Sequence, residues 1–217
     1  MTRRFADRTD AGEQLGVALP QFIGRQDALV LGLARGGVPV ARTLGDVLGL
    51  PVGAVVVRKL GVPGHSETAF GALAWFQGRV VRQLNDPFVQ TLLASGIEQA
   101  ALDLVQEQQT AELLRRAQSY PAPRGSVEGL TVLLADDGLA TGATMCAAVR
   151  AVRTGGPAAI VVTVPVGSME ACRAVSAVAD SLVCLQIPGR FGAVGAFYHH
   201  FDQVSDEEVL ALLQARA

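Results

Sequence analysis

Two adjacent carboxylates, Asp136 and Asp137, precede a run of small residues that ends in Thr141-Gly142-Ala143-Thr144. The two parts imply different chemistry. A helix starting near Ala143 leaves backbone N–H groups unpaired in its first turn, with the positive end of the macrodipole behind them. Gly142 lets an anion approach that backbone closely, and the hydroxyls of Thr141 and Thr144 add hydrogen bonds. The segment Gly138, Leu139, Ala140, Thr141, Gly142, Ala143 and Thr144 therefore suits a phosphomonoester. Carboxylates repel a phosphate, so beside one they make sense when they face neighbouring hydroxyls of the same ligand. A ribose 5-phosphate offers both groups: its phosphate goes to the helix start, its 2- and 3-hydroxyls to Asp136 and Asp137. Such a ligand needs both acids turned to the cleft and not to an arginine of the protein.

The elements that must position these residues are legible on either side. Val132 to Ala135 is a short continuous apolar run, as expected of a strand buried on both faces. The helix from Ala143 buries Met145, Ala148, Val149 and Val152 at helical spacing and stops at Gly155-Gly156-Pro157. A second strand–turn–helix comes earlier. Ala28 to Leu33 is apolar, Ala34-Arg35-Gly36-Gly37 turns, and a helix runs from Val38 to about Leu48, with Pro39 in its first turn. Glycine amides, a helix start and the Arg35 guanidinium together make an anion site. A third apolar run, Pro51 to Val57, ends in Arg58-Lys59, two cations that suit a diphosphate. In open α/β sheets, ligands bind at the carboxyl ends of the strands, where all these turns lie.

The stretch Val132 to Thr144 resembles the phosphoribosyl diphosphate (PRPP) binding loop of the type I phosphoribosyltransferases: an apolar strand, two acids, a short turn and a Thr-Gly-x-Thr phosphate loop. Arg35-Gly36-Gly37 resembles the family's diphosphate loop, which often contains a cis peptide. The resemblance spans roughly Ala28 to Val164. It implies an α/β fold with a mostly parallel central sheet, helices on both faces and a small hood or flap. It implies transfer of ribose 5-phosphate from PRPP to a nitrogen base, a purine or related nucleobase, with release of diphosphate. Asp136 and Asp137 would be the catalytic pair that stabilises an oxocarbenium-like ring. Residues 138–144 would hold the 5-phosphate, and Arg35, Gly36, Gly37 and Lys59 the diphosphate. Mg²⁺ would bridge diphosphate oxygens and ribose hydroxyls, with no side chain assigned as its ligand. One position departs from the hypoxanthine-type members, which carry an aspartate just before the Thr-Gly pair; Ala140 stands here. The loop is nearer the adenine-type pattern, no general base is named, and Glu67 is the candidate. The missing base also motivates an alternative, a non-catalytic PRPP- or nucleotide-sensing regulator on the same fold.

Composition narrows the field. The chain has 217 residues, enough for a sizeable core in a single domain, 1–217. A net charge of −2 gives no basic field for nucleic acid or a membrane surface. Cys146, Cys172 and Cys184 show no paired spacing, which argues for reduced thiols and a cytoplasmic setting. No export signal is seen, and no apolar run reaches the ~20 residues of a membrane span. The glycine turn is followed by Ala143 and not by the lysine of a nucleotide-hydrolysing phosphate loop, and neither Gly-x-Gly-x-x-Gly nor Gly-x-Ser-x-Gly occurs. A homodimer accompanies the family resemblance.

The remaining segments are read as follows. Asp10 to Leu19 forms a helix, and Phe5 to Arg8 ahead of it covers a sheet edge or a partner. Leu60 to Thr68 is a mobile loop, where His65 and Glu67 lack a third metal ligand. Gly71 to Ala74 and Arg79 to Leu84 make a hairpin. Asn85 or Asp86 caps a helix with Pro87 in its first turn, and a long helix spans Ile97 to about Gln118. Arg115, Arg116 and Arg124 are solvated or paired, closure over a diphosphate being the sharper alternative. Ala158 to Val164 is a strand that turns at Pro165-Val166-Gly167, and Ser168 caps the next helix. Leu182 to Ile187 is the last strand. Ser205 with Glu208 is a capping box for a helix to Leu213. Phe191, Phe197, Tyr198 and Phe201 pack as a small core under that helix rather than as a lid, and Tyr198 is the residue to follow.

Overall fold

The computed structural model describes residues 4–121 and 125–214. Its elements, in chain order, are α1 (Arg8–Ala18), β1 (Ala28–Ala34), α2 (Gly37–Leu48), β2 (Val52–Val62), β3 (His65–Phe76), β4 (Arg79–Leu84), α3 (Asp86–Ala94), α4 (Gln99–Ser119), β5 (Thr131–Ala135), α5 (Ala143–Arg153), β6 (Ala159–Val166), α6 (Met169–Ser176), β7 (Ser181–Gln186) and α7 (Asp206–Gln214). The seven strands form one sheet in the order β4-β3-β2-β1-β5-β6-β7. β2, β1, β5, β6 and β7 run parallel, and β3 and β4 return antiparallel at one edge. The mostly parallel α/β sheet expected from the sequence is therefore present.

The apolar runs are continuous because both faces are covered. Leu29, Leu31 and Leu33 of β1 point to the face covered by α5 and α6. Ala28 and Val30 point to the opposite face, under α1 and α2. Farther along that second face, α3, α4 and α7 pack on β2 and β3 through Leu92, Leu113, Ala117 and Val209. Register then fixes the rim. Ala34 of β1 is level with Val56 of β2, and Gly32 with Ala135 of β5. The residues that follow, Arg35, Arg58-Lys59 and Asp136-Asp137, consequently emerge side by side.

Three segments differ from the sequence expectation. Leu60 to Thr68 is no open loop: β2 continues to Val62, β3 starts at His65, and Pro63-Gly64 is the turn between them. Leu60 and Val62 are buried there, a period-2 signal that the intervening glycine obscures. Pro165 and Val166 belong to β6, because β7 offers a further rung, Val166 with Gln186. Finally, the described part of the segment before α1 adds no strand to the sheet, although Phe5 packs in one cluster with Val166 of β6 and against Leu185 of the edge strand β7. It bridges to Tyr198, with the Phe5 N–H donating to the Phe197 carbonyl at 2.9 Å and the His199 N–H donating to the Phe5 carbonyl at 2.9 Å. The aromatic residues do form a small core, but with Phe5 and Ala11, while α7 packs elsewhere. Among the described residues no helix is long and apolar enough to cross a membrane.

Candidate active site

The turns at the carboxyl ends of β1, β2 and β5 enclose a cleft of about 1060 Å³. Of the residues singled out from the sequence, Arg35, Gly36, Lys59, Asp136, Asp137, Gly138, Leu139, Ala140, Thr141, Gly142 and Thr144 line it. Gly37 and Ala143 sit behind its wall: Gly37 is buried and Ala143 packs against the core. The peptide bond between Ala34 and Arg35 is cis.

The phosphate loop owes its shape to Gly142, which adopts left-handed φ 77° and ψ −5° directly before α5. Gly142, the N-cap of α5, has no side chain to cap that helix start, nor has Gly36, the N-cap of α2, and only a long 3.5 Å contact joins the Ala143 N–H to Thr141 Oγ1. By contrast Asp7, Asn85 and Ser168 cap α1, α3 and α6 with side-chain oxygens. The two uncapped starts beside the cleft leave their first N–H groups for an anion. One member of the expected phosphate set has another task. The Leu139 N–H donates to the Val166 carbonyl at 2.9 Å and its side chain is buried, so Leu139 braces the loop against β6 and cannot donate to a phosphate. Ala140 is exposed, and its carbonyl accepts from Ser168 Oγ at 2.7 Å. Gly142→Ala is expected to cost about 1–2 kcal/mol from the left-handed backbone alone. Its Cβ would also stand 3.2 Å from the Ala171 carbonyl. A lowered melting temperature together with weaker inorganic-phosphate binding, by calorimetry, checks this.

The acids behave as a pair. Asp136 Oδ1 accepts from the Asp137 N–H at 2.9 Å. Asp137 Oδ2 accepts from Arg8 Nε at 2.9 Å and Nη2 at 2.8 Å. This corrects the expectation that both acids are free of the protein's own arginines: among the described residues Asp137 is paired with one and Asp136 is not. Sequence reading missed Arg8 because nothing local ties an N-terminal arginine to an acid 129 residues away. Burial, and then the charge of Asp137, push the Asp136 carboxyl well above the usual carboxylate range. Burial also raises Asp137, opposed by the Arg8 guanidinium. The Tyr198 hydroxyl donates to the Asp137 carbonyl at 2.6 Å, and burial holds its proton tightly.

A raised carboxyl favours the folded state only while protonated, so above the unfolded value of about 4 its ionised form costs stability. Asp136→Asn removes that cost and keeps an oxygen for the Asp137 N–H. Thermal melts in metal-free buffer are expected to place this variant above the parent at pH 7. The gap shrinks as pH falls through the raised value and closes below about 4, where both folded and unfolded parent hold the proton. Equal melting temperatures at pH 7 would contradict the strain assigned to the pair.

Apart from Arg8, which is taken up by Asp137, the rest of the wall is cationic. Arg35, Arg58, Lys59 and Arg116 line the same cleft as the two carboxylates, Asp136 and Asp137, in a chain of net charge −2. Arg35 is half-buried, with Nη1 3.9 Å from Asp206 Oδ1. Arg58 donates to Gln109 Oε1 at 2.8 Å, and burial together with the nearby Arg116 charge lowers its affinity for its proton. Arg115 and Arg116 both pair with Glu112, at 2.7 and 2.8 Å, as default helix-surface arginines do, although Arg116 also reaches the cleft. Arg124 lies outside the described residues, as does the side chain of Glu67.

Among the described residues no group of three or more His, Cys, Asp or Glu side chains converges to cage a metal. Mg²⁺ does not need one, since it binds through one or two carboxylates, water and substrate phosphates. The hard oxygens present suit an ion that arrives on a diphosphate.

Comparison with known proteins agrees with this geometry. A family model described as phosphoribosyl transferase domain matches residues 18–201. A Mycobacterium tuberculosis protein provisionally named a phosphoribosyl transferase, found in strains H37Rv and CDC 1551, is 43% identical over 211 residues. That match covers 96% of this chain and 46% of the relative, so the chain spans about half the length of the curated relatives it matches. The solved structure of TT1426 from Thermus thermophilus is 40% identical, with a TM-score of 0.75 over 97% of both chains. The AQ2163 protein from Aquifex aeolicus is 9% identical with a TM-score of 0.51, over 87% of this chain and 78% of that one, a likeness of fold alone. With its sheet, its two uncapped turns and these matches together, the chain belongs to the phosphoribosyl transferase domain family.

Proposed function

We propose that this domain transfers ribose 5-phosphate from PRPP to a nitrogen base, a purine or related nucleobase, and releases diphosphate. The observation that carries the proposal is the cleft itself: an uncapped, glycine-led helix start, a pair of adjacent acids and a cationic wall share one rim. PRPP matches that order of groups, with a phosphate at one end, a diol in the middle and a diphosphate at the other.

Binding turns remote contacts into positioning. The amides at Gly142 to Thr144 and the hydroxyls of Thr141 and Thr144 anchor the 5-phosphate. Asp136 and Asp137 accept hydrogen bonds from the ribose hydroxyls. As the bond to diphosphate lengthens, the ring gains positive charge and the two carboxylates stabilise it electrostatically. Arg35, the amides of the Gly36 turn and Lys59 hold the departing diphosphate. Asp136 and Asp137 are the carboxylates that would hold Mg²⁺ at this site, and the ion would supply positive charge to offset that of the leaving group.

The test is incubation with PRPP, Mg²⁺ and a panel of purine and pyrimidine bases, following diphosphate release. Turnover with one base supports the proposal and identifies the acceptor. Ala140 at the position of the hypoxanthine-type aspartate favours a second reading, a PRPP or nucleotide sensor. Calorimetric binding of PRPP with no release across the panel would select it. Absence of both binding and turnover removes both.

A further inference from the structure

Arg8 is the first residue of α1, and everything around it is fixed. Asp7 Oδ1 accepts from the N–H groups of Thr9 and Asp10, while the Ala6 N–H donates to Asp10 Oδ2 at 2.8 Å. The segment just before is pinned to residues 197–200 through Phe5 and Ala6. From that base Arg8 reaches the site. Its Nε and Nη2 both donate to Asp137 Oδ2, and its Nη1 donates to the Asp202 carbonyl at 2.8 Å. The guanidinium carbon lies 4.0 Å from the centre of the Phe201 ring. The Arg8 and Asp137 side chains are only 13% and 15% exposed, so the pair is no loose surface bridge.

Which oxygen is taken matters more than the pairing. A fork-on-fork arginine would cover both carboxylate oxygens. Here both donors converge on Oδ2, and that oxygen is also the one packed against Gly36, where a Cβ would collide with it. Asp136 is treated alike, with Oδ1 held by the Asp137 N–H and close to Gly37. Each acid is thus tied through one oxygen and keeps the other, Asp136 Oδ2 and Asp137 Oδ1, for a ligand. Two remaining oxygens on cleft-lining residues match two neighbouring hydroxyls.

We infer that Arg8 is a positioning residue of the sugar site, anchoring Asp137 through Oδ2 so that Oδ1 is presented to a ribose hydroxyl. This rests on the PRPP reading of the cleft. Without the anchor, repulsion from Asp136 turns Asp137 aside, and the diol loses one of its two acceptors. Charged groups facing Asp137 are Asp136 beside it, Arg8 from α1 and Lys59 from β2.

The test is a cycle of PRPP·Mg²⁺ titrations by calorimetry on the full chain, Arg8→Met, Asp137→Asn and the double variant. Loss of a hydrogen-bonded charge partner is expected to weaken binding about tenfold in Arg8→Met. The double variant is expected to bind no worse than Asp137→Asn, because Arg8 acts through that acid. Arg8→Lys should recover part of the loss, and inorganic phosphate should bind Arg8→Met and the parent equally. Arg8→Gln serves in the same cycle should the methionine variant fail to fold. Unchanged or tighter binding in Arg8→Met, or additive losses in the double variant, overturns the inference while the PRPP reading stands. A parent chain that binds phosphate but not PRPP overturns the PRPP reading and this inference with it.

Discussion

Asp136→Asn combined with Asp137→Asn is expected to lower kcat/KM for PRPP on the order of 10²–10³-fold, the range seen when a preorganised electrostatic stabiliser is lost. The two amides retain the shape and one acceptor oxygen each. What disappears, on the proposed mechanism, is the negative charge that the ring meets as its diphosphate departs. Affinity for inorganic phosphate should hold, because the α5 start and its threonines are untouched. Circular dichroism should hold too, since Asp136 contributes a backbone contact that asparagine reproduces. Steady-state kinetics with the acceptor found in the base panel, beside a phosphate titration, checks both halves. Parent-like kinetics would remove the role given to the acids; a collapse of phosphate binding would show that they shape the loop instead.

Gly37→Ala should damage stability and binding together. A Cβ there would lie 2.7 Å from the Ala135 carbonyl, 2.9 Å from Asp136 Oδ1 and 3.0 Å from the Asp136 Cα. Two of those atoms are backbone at the end of a central strand, so the clash cannot be relieved by a rotamer. Either the β1–α2 turn or the β5 end must move. Overpacking of this kind costs about 1–3 kcal/mol, which for a chain of this size lowers the melting temperature by about 2–4 °C per kcal/mol. PRPP affinity should fall with it, since the β1–α2 turn and the acids are pushed apart. A thermal melt and a PRPP titration on one preparation check both effects; an unaltered melt would mean that the two turns are not in close packing.

Gly37 also shows which kind of information the chain spells out locally. Its glycine, the apolar run of β1 and the helical spacing of α2 were all legible, and so were β5, the acids and the Thr-Gly loop after them. Those signals arise within about fifteen residues, where period and turn chemistry speak directly. The mostly parallel sheet with helices on both faces followed from the alternation of strands and helices, whereas the strand order did not. The same reading failed where a contact joins distant segments. Arg8 reaches Asp137 across most of the chain, and the bridge from Phe5 to Tyr198 does the same. Leu139 differs for another reason: it lies inside the segment expected to hold a phosphate, although β6 claims its N–H. The hairpin at Pro63-Gly64 was hidden because Gly61 breaks the alternation of a strand that its partner sustains.

The bridge between Phe5 and Tyr198 has a consequence for how the protein is made. Arg8 leaves the ribosome 194 residues before Asp202, its second partner. At about 5–20 residues added per second, it waits about 10–40 s. The strands and both glycine turns are translated in that interval, yet Arg8 stays without its Asp202 contact until that residue emerges. On the proposed reading, a nascent chain stalled before Asp202 is expected to bind inorganic phosphate and not PRPP, which titration of the stalled product checks.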